Sequence, residues 1–294
     1  MRVNLVGTGA SCEELQDEMR RRAQQSEDRH PANESGMSAR RQGSEVHIIS
    51  FFSGITPTLH FWEGGELRME EMSGFWNLSS SGEKACVGYS DMEGRKMCPH
   101  GERGTMQCPL CRYKDIAKVH TRLDFTGYEE VAEQFLNRPY SIYLVSFGNL
   151  IKCGVTKRER VRERVREQGA DYFVELMRLE NGKDAYEMES LLQQEYGFRN
   201  AIRNEMKLRL LGKENREPLE RALVLLKESV AFGEFILDGA RVEKLEYNIP
   251  SNFEVADEIE GKIIGAKGQL LFFENGSAKV MNMKKWSGEI ALIH

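Results

Sequence analysis

Residues 140–197 constrain this chain most, because within them the spacing of apolar residues switches from the two-residue repeat of strands to the helical repeat and back. The runs 140–147 (YSIYLVSF) and 150–155 (LIKCGV) are rich in β-branched and aromatic residues and are separated only by Gly148 and Asn149, a pair suited to a tight reversal. A β-hairpin is expected there. Residues 157–168 are dominated by Arg and Glu, with Val161 and Val165 four apart; this is the pattern of a solvated helix with a narrow apolar edge, and Gly169 supplies its stop. Residues 172–179 are again strand-like, Asn181-Gly182 is a turn, and Ala185, Met188, Leu192 and Tyr196 recur at helical spacing. The expected order is β-β-α-β-α.

That order, with Ser141-Ile142-Tyr143 on the first strand and Lys152-Cys153-Gly154-Val155-Thr156 on the second, resembles the GIY-YIG nuclease superfamily. The KCGVT run together with Gln168-Gly169-Ala170 looks like a divergent branch that joins such a module to a four-cysteine zinc site. The resemblance covers about a fifth of the chain. It implies that Tyr143 lies near an attacking water, that Gly154 falls on the family's Gly, and that Thr156 sits where a small hydroxyl residue is common. It also implies that Arg164, with Arg160 as the fallback, supplies the helix Arg, and that Glu189 binds a Mg²⁺ or Mn²⁺ ion. Glu189 is selected because it falls between Ala185 and Leu192 on the apolar stripe, where a carboxylate has to be paired or metal-bound. The chain departs from the family at three points. Ser141 replaces the leading Gly, Lys152 stands where a second Tyr is usual, and no His occurs between His120 and His294, so the His that many members carry on the first helix is missing. An ammonium at position 152 stabilises an anion but is a poor substitute for a phenol that relays a proton.

Four of the six cysteines, Cys86, Cys98, Cys108 and Cys111, fall within twenty-six residues. The last two form C-P-L-C, a turn in which two thiolates can face one metal, whereas Cys86 and Cys98 have eleven residues between them and need a small hairpin to meet. A structural zinc ribbon with four thiolate ligands uses all four. Two disulfides would require an oxidising compartment, and a redox C-x-x-C would require a thioredoxin-like context that this stretch lacks. His100 is a spare ligand for such a site. Cys12 and Cys153 read as a tail thiol and a small buried side chain.

Composition bounds the remainder. The chain has 294 residues, room for two or three modules with cores of their own, and 40 % hydrophobic with 30 % charged residues is an ordinary globular balance. Residues 1–45 contain no Phe, Tyr or Trp and are expected to be a disordered tail, with at most a short helix over 13–24. Residues 46–120 read as a β-rich segment with the zinc ribbon, 121–200 as the GIY-YIG-like module, and 201–294 as a helical connector followed by a small C-terminal β-domain. The fold class expected is therefore α+β. In the first β-rich segment Phe51, Phe52, Phe61, Trp62, Phe75 and Trp76 read as core rather than as a stacking platform. The connector is expected to be helical over 199–211 and 218–232, the latter with a stripe of Leu219, Leu223, Leu226 and Val230. In the last segment, read as a small barrel or sheet, Lys262, Lys267, Lys279, Lys284 and Lys285 fit either a backbone-tracking face or a solvated one. No apolar run reaches bilayer length and the first thirty residues lack a secretory pattern, so no membrane partner and a cytoplasmic location are expected.

A net charge of −5 argues against coating of nucleic acid by the whole surface, so any such contact must be local. The concentrated charge is Lys152, Lys157, Arg158, Arg160, Arg162, Arg164 and Arg166 against Glu159, Glu163 and Glu167, an excess near +4 beside the Tyr143 motif. Three functions follow. The first is a metal-dependent nuclease in which Glu189 holds the ion, Tyr143 orients or deprotonates water, and Arg164 with Lys152 stabilises phosphate charge. The second is a non-catalytic RNA- or DNA-binding protein that keeps the fold and the basic helix. The third is a protein-interaction scaffold stabilised by zinc.

Overall fold

A computed structural model describes residues 43–294. Residues 1–42 of the expected tail, with the short helix over 13–24 and Cys12, lie outside the described residues, whereas Ser44 and Glu45, expected to end the tail, already belong to a strand. Strand outweighs helix, in the mixed α+β class expected. The elements are β1 (Ser44–Ser53), β2 (Pro57–Glu63), β3 (Glu66–Glu71), β4 (Phe75–Lys84), β5 (Tyr89–Asp91), β6 (Gly94–Lys96), α1 (Pro109–Lys114), α2 (Ala117–Arg122), α3 (Glu129–Leu136), β7 (Tyr140–Phe147), β8 (Leu150–Lys157), α4 (Val161–Gln168) and β9 (Tyr172–Leu179). They continue with α5 (Gly182–Tyr196), α6 (Asn204–Leu210), α7 (Glu217–Lys227), β10 (Glu243–Lys244), β11 (Glu254–Val255), β12 (Ile259–Lys267), β13 (Leu270–Asn275), β14 (Ser277–Asn282) and β15 (Glu289–Ile293).

Residues 140–196 form the expected β-β-α-β-α order. Every residue of β7 is buried, because β7 is central in a four-stranded sheet of order β10-β9-β7-β8 and both its faces are covered. Ile142 and Leu144 pack with Val174, Leu176, Leu192 and the stripe of α7, while Tyr143, Val145 and Phe147 pack with Val161 and Val165 of α4. The period-two alternation of one strand thus serves two cores. Gly169 caps α4 in the left-handed conformation, and the Asn181 side chain caps α5 by accepting the Asp184 N–H.

The larger sheet has nine strands in the order β11-β14-β13-β12-β4-β15-β1-β2-β3. Ser44 of β1 pairs with Ile293 of β15, and Leu78 of β4 pairs with both Ile259 and Ile293. The first and last β-rich segments therefore share one sheet and one core, which holds Ile48, Phe61, Leu78, Leu271, Phe273 and Trp286. The C-terminal strands are not a separate small barrel, because β4 and β1 lie on either side of β15 and supply its hydrogen bonds.

Several local expectations are corrected. Strand alternation leaves Phe52 and Phe75 exposed, although Phe51, Phe61 and Trp62 are core as read. Residues 199–203 are not helical: the backbone of Arg199 exchanges hydrogen bonds with Ile151 and Cys153 at the edge of β8, and the helix begins only at Asn204. The helix expected to reach 232 stops at Lys227, so Val230 falls beyond the stripe and is exposed. Lys267 is buried against Asp171 and does not belong to a solvated lysine face. No helix among the described residues is long and apolar enough to cross a membrane.

Candidate functional site

The four cysteines are built by two short devices. The β5–β6 hairpin folds between Cys86 and Cys98. It closes against Gly88, whose φ is +82°, and a Cβ there would sit 2.0 Å from the Lys96 carbonyl oxygen. Cys108 caps α1 and Cys111 lies within it, so the C-x-x-C turn aims both sulfurs inward. All four side chains are buried and their sulfurs lie within 4.8 Å of one another, with Cys98 Sγ 4.0 Å from Cys108 Sγ. Tetrahedral zinc with Zn–S near 2.3 Å requires sulfur separations of about 3.8 Å, and a disulfide requires about 2.05 Å, so this spacing suits a metal ion such as zinc and excludes disulfides. Exposed His100 is not in the cluster. Burial opposes ionisation of Cys98, yet backbone donors at Glu102 and His100 bring its thiol down to about 7, while burial and the other thiols push Cys111 up. The guanidinium of Arg95 is the nearby cation: its charge acts on Cys86 and Cys111, and its Nη2 donates to the Val87 carbonyl at 2.8 Å.

The second cluster lies where β7, β8, α4 and α5 meet. Tyr143 and Gly154 are cross-strand partners, and a Cβ on Gly154 would lie 2.5 Å from the Tyr143 hydroxyl oxygen and 2.6 Å from Cζ. The glycine leaves the space that the phenol ring occupies. Tyr143 is only 1 % exposed, its hydroxyl accepts a hydrogen bond from Gln168 Nε2, and burial pushes it up to about 12. Lys152 Nζ sits 5.9 Å from the centre of the Tyr143 ring and donates to its neighbour's carbonyl, that of Cys153, at 3.0 Å. Burial lowers the Lys152 ammonium, Glu189 opposing, and burial raises the Glu189 carboxyl, Lys152 opposing. Gln193 Nε2 donates to Glu189 at 3.1 Å. The charge of Arg164 acts on both Tyr143 and Lys152. Tyr143, Lys152, Arg164 and Glu189 therefore occupy one electrostatic neighbourhood, but of the four only Arg164 lines the adjacent cleft of about 680 Å³. Cys153 is fully buried.

Sequence reasoning missed Lys207 of α6. Its Nζ donates to the Gln168 carbonyl at 2.7 Å, and burial followed by repulsion from Lys152 and Arg164 lowers its ammonium to about 8. No local pattern marks it, because the contact spans 39 residues.

The basic helix is less free than its composition implies. Arg158 pairs with Glu180 at 2.7 Å, Arg162 with Glu243 at 2.6 Å, Arg160 with Glu163 and Glu167, and Arg164 with Glu167 at 2.9 Å. Arg166 donates to the Glu246 carbonyl at 3.2 Å. Acids 22 and 81 residues away supply what the helix's own glutamates cannot, so counting charge along the helix overstated the local excess.

No curated protein and no solved structure matches this chain. The sequence profile of one family, described as "Protein of unknown function (DUF2797)", matches residues 77–290, a stretch that takes in the four cysteines, the whole of β7 to α5 and most of the C-terminal strands. The chain belongs to the DUF2797 family.

Proposed function

We propose that this chain is a divergent GIY-YIG-like protein that binds nucleic-acid phosphates, with its four cysteines holding a structural zinc. The observation that carries this is the grouping of Lys152, Arg164 and Lys207, three cations from β8, α4 and α6 whose charges act on one another, with Glu189 acting on Lys152 and Glu167 paired to Arg164. Cations held together against their own repulsion are an anion site in waiting. The fit of Tyr143 across Gly154 is the second support, since it gives the glycine of the resemblance a packing reason in this chain.

Binding is favoured over cleavage by the state of the phenol. A hydroxyl that is enclosed, engaged by Gln168 and raised to about 12 is badly placed to orient or deprotonate water. Metal-dependent hydrolysis is the second reading, and Glu189 is what favours it. A half-buried carboxylate there could hold Mg²⁺ or Mn²⁺ together with substrate phosphates, although the Lys152 ammonium competes for it.

The test combines fluorescence anisotropy on labelled DNA and RNA with a cleavage assay in Mg²⁺ or Mn²⁺. Binding should weaken as salt rises, and Lys152→Gln with Arg164→Gln should weaken it further and flatten the salt dependence by about one unit of slope per lost phosphate contact. Metal-dependent cleavage that disappears in Glu189→Gln while binding persists would replace the binding reading with the nuclease. Absence of both binding and cleavage leaves the zinc-stabilised scaffold.

A further inference from the structure

The cleft beside the Tyr143 cluster is assembled from parts that are remote in sequence: β1, the metal segment, the end of α4, the start of α6 and the turn after β14. Its volume of about 680 Å³ lies in the range of sites that enclose a small ligand or one residue of a polymer. Charged groups of both signs line it. Arg203, Lys207 and Lys284 are cations with no acid partner among the described residues; Arg95 and Arg164 join them, so that five cations stand beside the three acids Asp115, Glu167 and Glu205, of which Glu167 is already paired with Arg160 and Arg164. Phe52 is 42 % exposed, and its ring lies tilted against that of His60 with centroids 4.6 Å apart.

We infer that this cleft is a groove for single-stranded nucleic acid, in which one base stacks on Phe52 and flanking phosphates meet Arg203, Lys207 and Lys284. The inference rests on the phosphate-binding reading above and names its substrate. A base can reach a phenyl face only when it is unstacked and unpaired, which single strands permit and duplexes do not.

The test uses the full chain with fluorescein-labelled twelve-nucleotide oligo-dT, oligo-rU and a duplex of equal length, measured by anisotropy across a salt series. Single strands should bind more tightly than the duplex at equal salt, and tighter binding of either strand names the sugar. Phe52→Ala, at an exposed position that the fold tolerates, should weaken single-strand binding about tenfold or more and leave duplex binding unchanged. Arg203→Gln with Lys284→Gln, both exposed, should lower the single-strand salt slope by about 1.4. A preference for duplex, or single-strand affinity unchanged in both variants, overturns the groove. If that affinity still falls with Lys152→Gln and Arg164→Gln, the phosphate-binding reading survives the loss of the groove. Failure of the wild-type chain to bind any of the three overturns both.

Discussion

Replacing Gly154 by Ala should destabilise the protein by about 2–6 kcal/mol, and the cost should depend on Tyr143. The new methyl carbon would lie 2.5 Å from the phenol oxygen and 2.6 Å from Cζ, against an ordinary contact of 3.4–4 Å, so the ring must retreat by about 1 Å. It has nowhere to go, because Tyr143 is enclosed among Val145, Phe147, Val161, Val165 and Phe173. Overpacking of this kind costs about 1–3 kcal/mol. Displacement also breaks the hydrogen bond from Gln168 and strands two buried polar groups, adding about 1–3 kcal/mol. Urea denaturation followed by far-ultraviolet circular dichroism measures the loss. Repeating the substitution in a Tyr143→Leu background, where no ring crosses the glycine, should reduce its cost below about 1 kcal/mol. Equal costs in the two backgrounds would refute the argument that the glycine exists to seat the phenol.

Purified protein should contain one zinc per chain by elemental analysis, and stripping it should unfold at least the metal segment, since structural zinc contributes about 10–16 kcal/mol in small modules; an unchanged melting temperature after complete metal removal would contradict this. Lys207 should make stability rise between pH about 8 and 10.5, because the unfolded chain keeps that proton after the folded chain has lost it; Lys207→Met should flatten the rise, measured as urea midpoints against pH. Anion binding should weaken over the same window as the folded ammonium loses its proton, and Lys207→Arg should hold it constant. Asp171→Asn should cost about 3–5 kcal/mol, because it leaves the buried ammonium of Lys267 with only Glu214 at 3.7 Å; a loss under 1 kcal/mol would show the pair to be dispensable. The triple change of Arg158, Arg162 and Arg166 should alter nucleic-acid affinity less than Lys152→Gln with Arg164→Gln, because the first three are already engaged by Glu180, Glu243 and the Glu246 carbonyl.

The module from β7 to α5 was legible because its signals are local. Gly148-Asn149 closes the hairpin, Gly169 ends α4, Asn181 caps α5, and each acts within a few residues of itself. The cysteine cluster was legible for a related reason. Metal ligands declare themselves by residue type, and the hairpin needed to join Cys86 to Cys98 is only eleven residues long. Where a local signal was read too far, the structure shows what intervened. The helical composition of residues 199–203 yields to an edge position beside β8, where the Arg199 N–H, which a first helical turn would leave unbonded, donates to the Ile151 carbonyl and the Arg199 carbonyl accepts from the Cys153 N–H.

What the sequence determined by itself was the kind of chemistry available: four cysteines spaced for a metal, a tyrosine and a glycine on the two strands of a hairpin, and cations crowded on the helix that follows. Which of those groups are free to act was decided by tertiary structure alone. Glu180 and Glu243 reach Arg158 and Arg162 from 22 and 81 residues away, Lys207 enters the site from α6, and Gln269 meets the Phe51 carbonyl across 218 residues to help shape the cleft. The pairing of β15 with both β1 and β4 likewise joins the two ends of the described chain into one sheet. Spacing along a chain reports neighbours within a turn or a hairpin, whereas the charge a side chain feels and the solvent it meets depend on what the rest of the fold brings within a few ångströms, and burial can reverse either one.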